Sequence, residues 1–295
     1  MTSAVDPQPV DLSVVVPAHN SVAVIDRTVE QLVGRLSGTA AEIILVENGS
    51  TDDTFDTCRR LADRWQGSGV RIAVLRSDKG MGNAYRTGIA ATRGARVLLT
   101  ADDLPFGFDD LDALDERIAA EAPMPAVMIG SKAHPRSAVH RGALRGTLTG
   151  GFSAMCRLIL GMRTRDPQGT FVIDGPLARQ LAPNIAEAGF LFSTELVHVL
   201  ERVGIRPVEV PVTLRASHRE HRSRITPGDM VSMGVGLLRV RARHRGRWRM
   251  GSISLGSASA AQGATGTGSA PGAASGGTAE AGTGSPPRSP SRSSP

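Results

Sequence analysis

Aromatic residues make up only 3% of the 295-residue chain, and that scarcity removes the stacking surfaces on which proteins hold single-stranded nucleic acid. No nucleic-acid recognition module is visible either, so nucleic acid is not an expected partner. Cysteine is as sparse. Cys58 and Cys156 stand far apart with no metal-ligand spacing, which excludes a disulfide framework and fits free thiols in a reducing cytoplasm. No stretch reaches the roughly 18 apolar residues of a membrane span. The opening "MTSAVDPQPVDLSVVVP" has neither the basic start nor the long apolar run of a signal peptide, so a soluble or peripheral protein is expected. His218 and His221 lack the His-Glu-X-X-His spacing of a zinc enzyme and read as surface residues.

What is present is a globular composition, 40% hydrophobic and 21% charged, enough for one large domain or two small ones. Net charge is +6, which favours phosphates, nucleic acid or an anionic membrane face without choosing among them. From Gly251 to Pro295 small and turn-forming residues dominate and no apolar period survives, so this tail is expected to be disordered. Before it, apolar runs "LSVVVP", "EIILVE", "RIAVLR", "RVLLT" and "AVMIG" alternate with helix-like stretches beginning near Val22, Asp52, Gly82 and Asp109. That rhythm predicts an α/β fold, a mostly parallel sheet with helices on both faces. Such sheets bind ligands at the carboxyl ends of their strands.

Those ends read "PAHNS" at Pro17–Ser21, "ENGSTDD" at Glu47–Asp53, "SDKGMGNA" at Ser77–Ala84 and "ADD" at Ala101–Asp103. All four are polar and are expected to converge on one cleft. Ser50, Thr51 or Asp52 can cap the second helix, with acids favoured there by the helix dipole. "GMGNAY" starts like a dinucleotide fingerprint, but Tyr85 stands where the third glycine belongs and the segment follows the third strand. Both features argue against a dinucleotide oxidoreductase.

In this order, over about Leu12–Phe106, the four segments resemble the nucleotide-sugar domain of family-2 glycosyltransferases. "GSKAH" at Gly130–His134, "HRGALRGTLTGGF" at His140–Phe152, "RDPQGTF" at Arg165–Phe171 and "GFLFSTELVHVLERVGIRPVEVPVTL" at Gly189–Leu214 extend the likeness to about Arg224. These are similar to the polyprenyl-phosphate hexosyltransferases, and among them to the dolichyl-phosphate glucose and mannose synthases. The resemblance implies a glycosyltransferase A-type fold and an inverting, single-displacement transfer of a hexose. Donor would be a nucleotide sugar, UDP-glucose or GDP-mannose, and acceptor a polyprenyl phosphate at the cytoplasmic face of an anionic membrane. It also implies a Mg²⁺ or Mn²⁺ ion, since carboxylates hold hard cations that offset diphosphate charge. Asp103 matches the second Asp of Asp-X-Asp as metal ligand, with Asp102 beside it. Pro17, Ala18, Asn20, Glu47, Gly82 and Asp102 are implied at the donor. Asp166 and Gln168 join Asp102 and Asp103 as catalytic candidates, and Lys132, Arg141, Arg145, Ser223 and Arg224 would receive the acceptor phosphate. The expected organisation is an extension at 1–11, a catalytic domain at 12–225, a basic amphipathic membrane-proximal segment at 226–250 and the tail at 251–295.

Departures from the family pattern define a second reading. Ala101 fills the first Asp position, Pro105 stands where mannose synthases have a metal-binding Gln, Ser21 replaces a Glu, Asn48 an Asp, and Thr170 a Gly. A degenerate domain that binds a nucleotide sugar or a partner without turnover is therefore the alternative. Extended neighbours point to opposite sides, so Asp102 replaces a lost ligand only if the chain turns after Thr100. "LTGGFSAMCRLILGM" fits an interfacial helix with Leu148, Phe152, Met155, Leu158 and Ile159 on its apolar face, or an ordinary core helix. Gly228–Arg245 joins an apolar stretch to a dense basic end, again suited to a membrane face.

Overall fold

A computed structural model of the chain describes residues 9–138, 151–215 and 227–246. Seven strands form one sheet: β1 Leu12–Ala18, β2 Ala41–Glu47, β3 Arg71–Arg76, β4 Arg96–Leu99, β5 Val127–Ser131, β6 Thr170–Asp174 and β7 Val208–Pro211. Their order is β3-β2-β1-β4-β6-β5-β7. β6 runs antiparallel to both of its neighbours, and every other pairing is parallel. The expected mostly parallel sheet is present. All five apolar runs are strands, each bounded by turn residues and rich in β-branched side chains.

Strand alternation divides the apolar residues between two cores. Val14, Val16, Ile43 and Leu45 face helices α1 (Ile25–Leu36), α2 (Thr54–Arg64) and α4 (Asp109–Ala119). Val15, Ile44, Val46, Val97 and Leu99 face α3 (Met81–Ala91), α5 (Gly175–Leu181) and α6 (Leu191–Arg202). Because both sheet faces are covered, β1 and β2 are buried along their whole length, and their runs are continuous rather than alternating.

Three of the four foreseen helix starts move. α1 begins at Ile25 rather than Val22, because Val22 and Val24 lie exposed in the turn closed by the Ser21 carbonyl. α2 begins at Thr54, whose N–H is accepted by the Asp52 carboxylate at 3.1 Å, and α3 begins at Met81. Glycine at 236 lets the C-terminal helix α7, Pro227–Arg243, cross α6 closely, since a Cβ there would meet Leu191 Cδ1 at 2.2 Å.

"LTGGFSAMCRLILGM" is divided by the fold. Phe152 and Cys156 are core residues, Met155, Ile159 and Leu160 pack against that core, and Leu158 in the π-helical turn Cys156–Leu160 is exposed. Most of the expected membrane-facing surface is thus core-facing, because covering the sheet buries more apolar area than an interface offers one turn. Leu148 lies outside the described residues. Among the described residues no helix is long and apolar enough to cross a membrane. All of them belong to the compact unit Met1–Gly263; the 251–295 tail lies outside them.

At the strand ends opposite the cleft, the buried Glu42 carboxylate accepts from Ser13 Oγ at 2.7 Å, Arg93 N at 2.8 Å and Arg71 Nη1 at 2.6 Å. Burial opposes its charge, yet these donors outweigh that and hold the carboxyl below its ordinary value. A depressed folded value means the stabilisation is complete above the unfolded pKa near 4.5 and is lost as pH falls through the folded one. Wild-type melting temperature is therefore expected to fall more between pH 6 and pH 3 than that of Glu42→Gln. At pH 7 the variant should be less stable by about 1–3 kcal/mol, read by thermal unfolding.

Candidate active site

The parallel strands β1, β2 and β4 end on one edge, and hydrogen bonds between their terminal loops assemble a site there. Asn48, just past β2, donates its N–H and its side-chain amide to the Ala18 carbonyl at 3.0 and 3.1 Å. Its Oδ1 accepts from Gly80 N at 3.2 Å, tying the loop after β3 to the others. Asn20 has a positive φ of 53° and spans to the β2 loop, its Oδ1 accepting from Thr51 N at 2.9 Å. Pro17 and Ala18 are buried strand residues that present backbone rather than side chains to this junction.

Glu47 lines a cleft of about 580 Å³ with Ser50, Arg76, Ser77 and Asp78. Its carboxylate accepts from Ser50 N at 2.5 Å and Arg76 Nε at 3.1 Å. Burial opposes its charge, but those partners hold its carboxyl below the ordinary range, so it is ionised and retains acceptor capacity toward a ligand. Arg76 also lies over the Phe55 ring at 4.2 Å, which fixes the guanidinium at the cleft wall.

The apolar strand β4 ends at Leu99, and Asp102 and Asp103 sit in the turn that follows, closed by Leu104 N to Ala101 O at 3.3 Å. The alternation of an extended strand therefore does not govern the pair. Ser21 Oγ donates to Asp102 Oδ2, and Thr28 Oγ1 donates to the Asp102 carbonyl at 2.6 Å. Burial pushes the Asp102 carboxyl above its ordinary range in spite of the Ser21 bond, and the neighbouring Asp103 charge adds to the push.

Antiparallel β6 brings a second group to the same edge. Leu99 pairs with Phe171, and Gly130 with Thr170, so Gln168–Thr170 lies between the ends of β4 and β5. Lys132 Nζ reaches the Gln168 carbonyl at 2.8 Å and Asp166 Oδ2 at 3.0 Å, while Lys132 N donates to the same oxygen at 2.8 Å. Lys132 also lies 5.4 Å from the Phe106 ring, next to the Asp102–Asp103 turn. Asp166, buried, positions Lys132. Arg163 lies away from this group, in a recess with Arg202. Arg141, Arg145, Ser223 and Arg224 lie outside the described residues.

Gly82 is spent on packing. A Cβ there would lie 2.2 Å from the Glu187 carbonyl oxygen, and its N–H donates to the Ala188 carbonyl at 2.7 Å. Only a glycine lets the 187–188 backbone come so close.

Sequence comparison decides the family. The model for glycosyl transferase family 2 matches residues 13–175. The chain belongs to glycosyl transferase family 2. It is 27% identical over 254 residues to the dolichyl-phosphate beta-glucosyltransferase of Mus musculus, covering 81% of this chain and 78% of that one. Its identity to the Drosophila melanogaster protein of the same name is 28% over 263 residues, 84% and 80% of the two chains. In fold it is similar to glucosyl-3-phosphoglycerate synthase from Mycobacterium tuberculosis, whose crystal structure contains Mn²⁺, UDP and glucosyl-3-phosphoglycerate. That likeness has a TM-score of 0.53 at 22% identity and covers 79% of each chain.

In this family-2 glycosyltransferase the side chains suited to a divalent cation are carboxylates. Among the described residues no group of three or more His, Cys, Asp or Glu side chains is placed to enclose one. Two adjacent carboxylates whose mutual repulsion helps raise one of them do suit a hard cation that shares its coordination with a diphosphate. The residues fit in that shared sense. Sequence reading overlooked Arg76 and undervalued Ser21. The signal for Arg76 was its place as the charge closing the apolar run "RIAVLR", but its pairing with Glu47 across the sheet is tertiary.

Proposed function

We propose that this glycosyltransferase moves a glucose unit from uridine diphosphate glucose to a polyprenyl phosphate, as a peripheral protein on the cytoplasmic face of a membrane. The observation that carries the reading is the meeting, on one sheet edge, of the Glu47–Arg76 cleft, the Asp102–Asp103 turn and the Lys132–Asp166–Gln168 group. The cleft suits a nucleoside, with Glu47 as acceptor. Asp103, assisted by Asp102, would hold Mg²⁺ or Mn²⁺, which when bound offsets charge on the diphosphate. Lys132 offers its ammonium to an anionic oxygen, and Asp166 keeps that ammonium aimed. The names of the relatives support glucose and the dolichyl-type acceptor.

The acceptor phosphate is already ionised and needs no strong base. One of its oxygens attacks the anomeric carbon as the bond to the diphosphate oxygen breaks; the leaving diphosphate takes the electron pair, and configuration inverts. Incubation with UDP-glucose or GDP-mannose, polyprenyl phosphate and Mn²⁺ should give lipid-linked glucose from the uridine donor. Donor binding without lipid-linked sugar from either donor would reassign the chain to the degenerate, non-catalytic reading.

A further inference from the structure

Between the π-helical turn Cys156–Leu160 and helices α6 and α7 lie two adjoining recesses of about 560 and 420 Å³, which share Leu160, Gly161, His198 and Arg202. Arg241 and Arg245 line the first. They are separate from the donor cleft. Phe192, at the α3 end of α6, and Arg202 are ten residues apart on that helix, about 15 Å at 1.5 Å per residue.

Three features point to a ligand. First, the cations are not neutralised: among the described residues no carboxylate pairs with Arg202, Arg241 or Arg245. Arg202 Nη2 donates to the Gly246 carbonyl at 2.7 Å and Arg241 Nη1 to the Ile159 carbonyl at 2.6 Å, bonds that orient the guanidinium groups and leave their charge in place. Glu201, on the rim of the second recess, spends its carboxylate on Arg163 N, Thr164 N at 2.7 Å and Thr164 Oγ1 at 2.6 Å. Second, His198 lines both recesses, is 4% exposed, and its buried Nε2 has no hydrogen-bond partner. Such an atom costs free energy unless a ligand satisfies it. Third, the rim is apolar where a soluble protein would be polar. Leu158 is 81% exposed, and Leu238 is exposed on α7 one turn before Arg241, with Arg245 two residues beyond the helix end.

We propose that this recess binds the phosphate headgroup of an anionic membrane lipid, with Leu158 and Leu238 entering the acyl boundary. Guanidinium groups pair with phosphate oxygens through parallel hydrogen bonds, and exposed leucines beside them gain only against hydrocarbon. A free metabolite phosphate would have no use for that apolar rim. The proposal rests on the peripheral-membrane part of the reading above and is independent of the sugar or acceptor.

The test is vesicle sedimentation of the full chain, with UDP-glucose hydrolysis as the measure of an intact donor site. Binding to vesicles containing phosphatidylglycerol should exceed binding to pure phosphatidylcholine. Arg241→Gln with Arg245→Gln should lower it by about fivefold per cation, roughly 25-fold together, with hydrolysis unchanged. The paired Lys variants should lose several-fold, since an ammonium lacks the guanidinium fork. Arg59→Gln with Arg60→Gln, on exposed α2 positions, should change binding little. The His198 ring resonance should move with phosphatidylglycerol micelles and not with inorganic phosphate at equal phosphorus. Wild-type binding by the Arg241/Arg245 variant, or equal loss from the Arg59/Arg60 pair, overturns the site. An equal His198 shift with inorganic phosphate overturns the lipid. Failure of lipid-linked sugar to form, with vesicle binding as expected, sinks the proposed reaction and leaves this site standing.

Discussion

Asp103→Asn is expected to lower kcat for sugar transfer by about 10²–10³-fold, the equivalent of about 3–4 kcal/mol of transition-state stabilisation, while melting temperature stays within about a degree. The substitution keeps the size of the side chain and removes the charge that a hard cation requires. Asp103 stands in the turn after β4, beyond the last paired residue of that strand. Asp102→Asn is the matched comparison. Its amide oxygen can still accept the Ser21 hydroxyl, so the loop contact survives while the charge is lost. A smaller fall for Asp102→Asn than for Asp103→Asn, with the required Mn²⁺ concentration raised most by the latter, agrees with Asp103 as principal ligand. The reverse order, or near-normal rates for Asp103→Asn, would show that the family register has been placed one residue off.

Gly82→Ala should be strongly destabilising, at about 2–4 kcal/mol. Its Cβ would arrive 2.2 Å from the Glu187 carbonyl oxygen, 2.9 Å from the Ala188 carbonyl carbon and 2.9 Å from Phe192 Cβ. Two of those atoms are backbone, so rotamer changes cannot relieve the clash. Moving the segment also lengthens Gly82 N to Ala188 O, now 2.7 Å, and disturbs Arg86, whose Nη1 holds the Ile185 and Glu187 carbonyls at 2.9 and 3.0 Å. At about 2–4 °C per kcal/mol for a domain of this size, melting temperature should fall by roughly 5–15 °C. Gly34→Ala is the control: nothing lies within 4 Å of its added Cβ on α1, and a helical alanine should leave stability equal or higher. A Gly82→Ala protein that melts like wild type but has lost donor affinity would show that the position serves the ligand contact expected from the motif rather than packing.

The sheet was legible because its strands are buried on both faces, and such strands must be written as continuous apolar runs. "LSVVVP" and "EIILVE" have no other use. Helix starts were less legible by one to three residues. Val22 and Val24 have helix-compatible spacing, and only the closure of the turn on Ser21 O leaves them outside α1.

At the site, strand-end position marked the polar segments that hold Asn20, Glu47, Asp102 and Asp103, and the family resemblance singled out these residues together with Lys132, Asp166 and Gln168. Their partners were beyond reach of the chain order. Ser21 meets Asp102 across 81 residues, Arg76 meets Glu47 across 29, and Lys132 meets Asp166 across 34. Sequence also left the apolar stretch around Phe152 open between a membrane face and a core. The fold chose the core for Phe152 and Cys156 and solvent for Leu158, since a helix periodicity states that one face is apolar and only packing states what that face meets. By itself, then, the sequence determined the parallel α/β frame, the family and the edge on which chemistry gathers, all of them consequences of local pattern. Tertiary structure alone decided that Gly82 makes room for backbone, that Asp102 is held by Ser21, and that arginines from α6 and α7 share one recess, because each depends on distances between residues the chain keeps far apart.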